Sequence, residues 1–96
     1  MKTVGIIGAG SFGITLVKIL SRNVNVIIYS RNESVVKDIN EKHFHLGNEL
    51  RSNVKATTNI NEITSACELL FAVVPSSNFR QMMKDFCPFL KPSHII

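Results

Sequence analysis

Thr3-Val4-Gly5-Ile6-Ile7-Gly8-Ala9-Gly10-Ser11-Phe12-Gly13 decides how the rest of the chain is read. Residues 2–7 are rich in β-branched side chains and scarcely alternate with polar ones, which is the pattern of a short strand buried on both faces. Gly8, Gly10 and Gly13 then follow in the spacing G-x-G-x-x-G. Beyond them Phe12, Leu16, Ile19 and Leu20 fall at helical spacing, and that pattern fades at Ser21-Arg22-Asn23. A glycine loop that leaves a buried strand and opens a helix is specific in a way that the glycines alone are not.

Each glycine has a separate physical task in such a loop. Gly8 turns the chain tightly off the strand. Gly10 carries no side chain, so a pyrophosphate can approach the backbone. Gly13 lets helix and strand pack closely. Unpaired N–H groups and the positive end of the helix dipole then hold the anion.

Outward from the loop, strand and helix signals alternate. Residues 24–29 read as a second strand. Asn32 is placed to cap a helix whose first turn carries Glu33 and whose apolar face is Val35, Val36 and Ile39. Residues 43–52 have no period and read as loop, and residues 53–58 as a third strand. Asn59 with Glu62 resembles a capping box before a brief helix. The apolar run 69–74 is a fourth strand that ends at Pro75. Phe79, Met82, Met83 and Phe86 mark a further helix with its face in the core, and residues 93–96 read as a fifth strand cut short. This order predicts an α/β domain of Rossmann type, with a parallel sheet and flanking helices, truncated within the fifth strand. All of 1–96 is then one partial dinucleotide-binding domain.

Composition narrows the function classes. The chain has 96 residues, 45% hydrophobic and 19% charged, values ordinary for a globular domain. No stretch reaches the ~20 apolar residues of a membrane span, and the run 4–7 is too short for a signal-peptide core. The expected location is the cytoplasm. Cys67 and Cys87 form no C-x-x-C pair and read as buried free thiols. The net charge is +4, but the basic residues are scattered and no aromatics interleave with them. The expected partner is an anionic small molecule, with neither nucleic acid nor membrane.

The end of the second strand bears on which dinucleotide binds. Readers of NAD place an acid about 20 residues beyond the loop, on the ribose 2′-hydroxyl. Here the residues are Tyr29-Ser30-Arg31-Asn32, with no acid before Glu33. Arg31 can form charge-assisted bonds to a 2′-phosphate that a carboxylate would repel. NADP(H) is therefore favoured, with NAD(H) possible. His43-x-His45 lacks the further ligands that zinc needs, and Ser76-Ser77 lacks the G-x-S-x-G context of a nucleophile.

These stretches together resemble the N-terminal domain of the bacterial NAD(P)-dependent glycerol-3-phosphate dehydrogenases. The resemblance rests on the loop 8–13, on Tyr29-Ser30-Arg31, and on Ile39-Asn40 with His43. It rests also on Ala56-Thr57-Thr58-Asn59-Ile60 and on Ala72-Val73-Val74-Pro75-Ser76, which is similar to a V-P-S signature after strand four. The resemblance implies reversible reduction of dihydroxyacetone phosphate to sn-glycerol 3-phosphate, which feeds glycerophospholipid synthesis. It implies that Ser11, Phe12 and Arg31 contact the cofactor and that Pro75 and Ser76 border the nicotinamide. The chain departs from the family between the second helix and third strand, where Phe44-His45-Leu46-Gly47-Asn48-Glu49-Leu50-Arg51 has no proline. It has neither the family's A-T-K-G turn nor its helical substrate domain with the catalytic lysine, so no catalytic residue is expected here and the isolated chain is expected to be inactive. Two other readings use the same loop: a nucleotide-sensing regulatory module, and the cofactor domain of a ketopantoate or 6-phosphogluconate reductase relative.

Overall fold

The computed structural model describes residues 2–8, 10–45, 47–67, 69–73, 80–81, 84–86 and 88. The elements follow in the order β1 (Thr3–Ile7), α1 (Ser11–Leu20), β2 (Asn25–Tyr29), α2 (Glu33–Lys42), β3 (Phe44–His45), β4 (Asn48–Glu49), β5 (Val54–Thr57), α3 (Ile60–Ala66) and β6 (Leu69–Ala72). Residues 80–81 and 84–86 are also helical. Four strands form one parallel sheet in the order β5-β2-β1-β6. The predicted fifth strand, and Phe79, Met82 and Met83 of the predicted last helix, lie outside the described residues.

Alternation along the central strands sends side chains to two cores. Ile6, Val26 and Ile28 join Ile14 and Val17 of α1, Ile39 of α2, and Val54 and Ala56 of β5 on one face. Ile7 and Leu70 join Ile63 and Cys67 of α3 and Phe86 on the other, with Ile27 and Tyr29 packed against them. The four residues 4–7 are all buried, which accounts for the continuous apolar reading of β1. Phe86 belongs to the core, as its place in the apolar stripe implied.

Helix α1 differs in its rotation. The expected face included Phe12 and Ile19, yet these are 71% and 57% exposed, while Ile14 and Val17 are buried and Leu16 and Leu20 are partly so. Ser11, Thr15 and Lys18 form a polar stripe at i, i+4, i+7; Phe12 and Ile19 flank it and stay exposed, while Gly13, Ile14 and Val17 lie opposite it and are buried. The close contact of Gly13 with Gly8 fixes the rotation that wins.

Residues 43–45 and 47–49 carry more regular structure than the loop reading held. His43 closes α2 in the left-handed region at φ 50°, and Phe44–His45 pairs antiparallel with Asn48–Glu49 around a turn in which Gly47 has φ 75°. Strands of two residues are too short to leave a period in the sequence.

The family-like stretches have structural tasks. Asn32 Oδ1 accepts from Ser34 N at 2.9 Å and Val35 N at 3.3 Å, capping α2 as expected. Asn40 pairs with the outer edge of β5: its Nδ2 donates to Ala56 O at 2.9 Å, and its Oδ1 accepts from Ala56 N at 2.8 Å. At α3, Asn59 Oδ1 accepts from Glu62 N at 3.3 Å, the first half of the capping box. The second half runs through Thr57, whose hydroxyl accepts from Asn59 N at 3.0 Å and donates to Glu62 Oε2 at 2.8 Å. Asn53 Nδ2 donates to Ser21 O and Val24 O, tying the end of α1 to the starts of β2 and β5.

Candidate dinucleotide site

The C-terminal ends of β1, β2 and β6 meet at one edge of the sheet. Gly8 N donates to Tyr29 O at 3.0 Å, and Val73 N donates to Ile7 O at 2.8 Å. From β1 the chain proceeds to β2 and β5 on one side, then crosses back to β6 on the other. Such a reversal of strand order leaves a crevice outside the strand ends, where open α/β sheets take their ligands.

Gly8 leaves β1 at φ 114°, a conformation that L side chains rarely adopt. Gly10 is the N-cap of α1, with extended backbone, and its carbonyl accepts from Ile14 N at 2.9 Å. A glycine cap offers no side-chain oxygen to the first-turn N–H groups, and that turn holds no acid. Those donors and the helix dipole are therefore available to an anion. A Cβ built on Gly10 meets nothing within 4 Å, so the space that a pyrophosphate needs is open against bare backbone. A Cβ on Gly13 would stand 2.5 Å from Gly8 O, so the third glycine is there for packing. Ser11 opens α1, and Phe12 projects from its first turn into solvent.

Arg31 lies two residues beyond β2. Ser30 N donates to Thr57 O and Ser30 Oγ accepts from Asn32 N, which fixes the turn that carries Arg31. Its guanidinium is not free, for Nη2 donates to Asp85 Oδ2 at 2.9 Å. Asp85 Oδ1 accepts from Gln81 Nε2 at 3.0 Å. One residue on, the Phe86 ring meets Tyr29 edge to face, 5.0 Å between centroids and 87° between planes. That contact holds Asp85 beside the end of β2.

The structure thus brings Gly8, Gly10, Ser11, Phe12 and Gly13 together at the turn from β1 into α1, with Arg31 in the turn just beyond β2. Pro75 and Ser76 lie outside the described residues. Sequence reasoning missed Asp85. It stands 54 residues from Arg31, and the one signal of their proximity was Phe86 next to it in the apolar stripe.

The family model described as the N-terminus of NAD-dependent glycerol-3-phosphate dehydrogenase matches residues 3–96. The glycerol-3-phosphate dehydrogenase [NAD(P)+] of Methanothermobacter thermautotrophicus is 33% identical over 97% of this chain, and that of Agathobacter rectalis 37% over all of it. Each alignment covers 30% of the relative, so the chain spans about a third of the length of these proteins. The crystal structure of glycerol-3-phosphate dehydrogenase from Coxiella burnetii superposes with a TM-score of 0.85 at 20% identity, covering 97% of this chain and 30% of that one, and so shares the fold. Residues 3–96 therefore place the chain in the family of NAD-dependent glycerol-3-phosphate dehydrogenase N-terminal domains.

Proposed function

We propose that this chain is the cofactor-binding part of an oxidoreductase that interconverts dihydroxyacetone phosphate and sn-glycerol 3-phosphate with NAD(P)H. The observation that carries this reading is the open backbone face at Gly10, at the head of α1 and beside the strand-order reversal, in a chain of this family. Backbone N–H groups after Gly10 hold the pyrophosphate. Gly8 and Gly13 shape the loop around it, Ser11 contributes to the anion cradle, and the exposed ring of Phe12 lies against the cofactor. Pro75 and Ser76 border the nicotinamide, following the family resemblance. The bound nicotinamide supplies or accepts the hydride.

Arg31 faces the adenosine ribose and donates to a 2′-phosphate, so NADP(H) is the favoured cofactor and NAD(H) a usable one. One Nη2 donor is paired with Asp85, but a guanidinium has five N–H donors in a fork, and the side chain is 65% exposed. No residue of the loop can bind a triose phosphate against the nicotinamide, or align a proton source with reacting atoms about 3–3.5 Å apart. We assign those groups to the part of the relatives that this chain does not cover, and the chain alone is expected to bind nucleotide without turnover.

The test is oxidation of NADPH by the intact protein with dihydroxyacetone phosphate, alongside Arg31→Asp. Turnover is expected in the parent, and the substitution is expected to shift preference from NADPH towards NADH. An intact protein that binds neither nucleotide sinks the reading.

A further inference from the structure

We propose that Asp85 sets the cofactor preference by holding the Arg31 guanidinium against the claim of a ribose 2′-phosphate, an inference that rests on the dinucleotide reading above. Three observations support it. The Arg31–Asp85 pair is close, at 2.9 Å, and its two members are 54 residues apart in the chain yet meet beyond the end of β2. Asp85 is tethered on both sides: Gln81 donates to its other oxygen at 3.0 Å, and Phe86 beside it is buried against Tyr29, the last residue of β2. The carboxylate is also the more buried partner, 35% exposed against 65% for Arg31. The anchored member is therefore the acid, and the arginine is the one that swings.

The consequence is a competition. A 2′-phosphate brings more charge and more acceptor oxygens than a carboxylate, so it can draw Arg31 away, but it must first displace Asp85. A ribose with a free 2′-hydroxyl makes no such demand and leaves the pair intact. Asp85 therefore weakens NADP(H) selectively and leaves NAD(H) almost untouched, which tempers the preference that Arg31 alone would give. The pair is solvated, so the effect is modest: about two- to fivefold in affinity, as for exposed ion pairs.

The experiment measures dissociation constants of NADPH and NADH by calorimetry on the intact protein, at fixed ionic strength, for the parent, Asp85→Asn, Arg31→Ala and the double variant. Adenosine 2′,5′-bisphosphate and 5′-AMP serve as a second ligand pair that differs only at the 2′-phosphate. Asp85→Asn is expected to tighten NADPH and the bisphosphate about two- to fivefold, with NADH and 5′-AMP changed by less than about twofold. In the Arg31→Ala background the same substitution is expected to have no differential effect. An unchanged NADPH-to-NADH ratio in Asp85→Asn overturns the proposal. So does an effect that survives intact without Arg31, since the guanidinium would then not carry it. Absence of binding by the parent to all four ligands overturns the dinucleotide reading itself, and is distinct from either result.

Discussion

Gly13 and Gly8 are in backbone contact across the turn between β1 and α1, so close that a Cβ on Gly13 would stand 2.5 Å from the Gly8 carbonyl oxygen. The contact sets both the rotation of α1 and the distance of its first turn from the strand ends. Gly13→Ala has two opposing effects. Alanine favours a helix interior over glycine by about 1 kcal/mol. The methyl group meets a backbone atom that cannot swing aside, and overpacking of this kind costs about 1–3 kcal/mol. The clash is expected to win, lowering the unfolding free energy in denaturant titrations and weakening nucleotide binding together. A variant more stable than the parent would show that the turn relaxes freely.

Gly10→Ala provides the contrast. Its φ of −75° suits alanine, and the new Cβ meets nothing within 4 Å. Stability should stay within about 1 kcal/mol of the parent, the range for changes at a helix N-cap. Binding should fall sharply, because the methyl occupies the space that the pyrophosphate requires. Calorimetric titration with NADPH, paired with a denaturant curve, checks both halves. Unchanged affinity would remove the pyrophosphate from this loop.

Asn40 acts far from the loop. Its amide satisfies both the N–H and the C=O of Ala56 on the outer edge of β5. Asn40→Ala leaves those groups without their partner, and an unsatisfied part-buried group costs about 1–3 kcal/mol. A loss of that order is expected, with faster hydrogen exchange at the Ala56 amide. Nucleotide affinity should not change when measured well below the unfolding transition. Exchange at Ala56 as slow as in the parent would mean that another group closes the edge.

The parallel sheet and the glycine loop were legible in the sequence because each leaves a local mark. β1 is buried on both faces and reads as a continuous apolar run, and Gly8, Gly10 and Gly13 stand at the spacing G-x-G-x-x-G, with a positive φ at Gly8 and a close backbone approach at Gly13. The A-T-T and I-N stretches were legible as resemblance but not as physics. Their content is a hydrogen-bond relay from Asn59 through Thr57 to Glu62, and a side chain that completes a strand edge, and neither leaves a period. α1 was legible as a helix, but grouping Phe12, Leu16, Ile19 and Leu20 passed over the polar stripe Ser11, Thr15 and Lys18, beside which Phe12 and Ile19 lie. Asp85 was invisible for a different reason: its partner is 54 residues away, and ion pairs between distant elements follow from the fold, not from the neighbouring sequence.

Cys67 makes stability depend on alkaline pH in a predictable direction. Its side chain is 2% exposed, among Ile7, Ile63, Leu70 and Phe86. Burial pushes the thiol up from 9.0 to about 11, because the thiolate would lose its hydration there. The folded chain therefore keeps its proton over a range in which the unfolded chain gives it up. The contribution is fully present below pH 9.0 and is lost as pH rises towards about 11. The comparison is a difference between two variants of the same chain. Cys67→Ala and its parent, both carrying Cys87→Ser, would be unfolded in denaturant at pH 8 and at pH 10.5. The parent should be the more stable at pH 8, because the alanine leaves a small cavity. Its advantage should shrink at pH 10.5, where only the parent has a thiol to ionise on unfolding. Two stability curves that run parallel over this interval would show that Cys67 titrates alike in both states, and that its burial does not hold the proton.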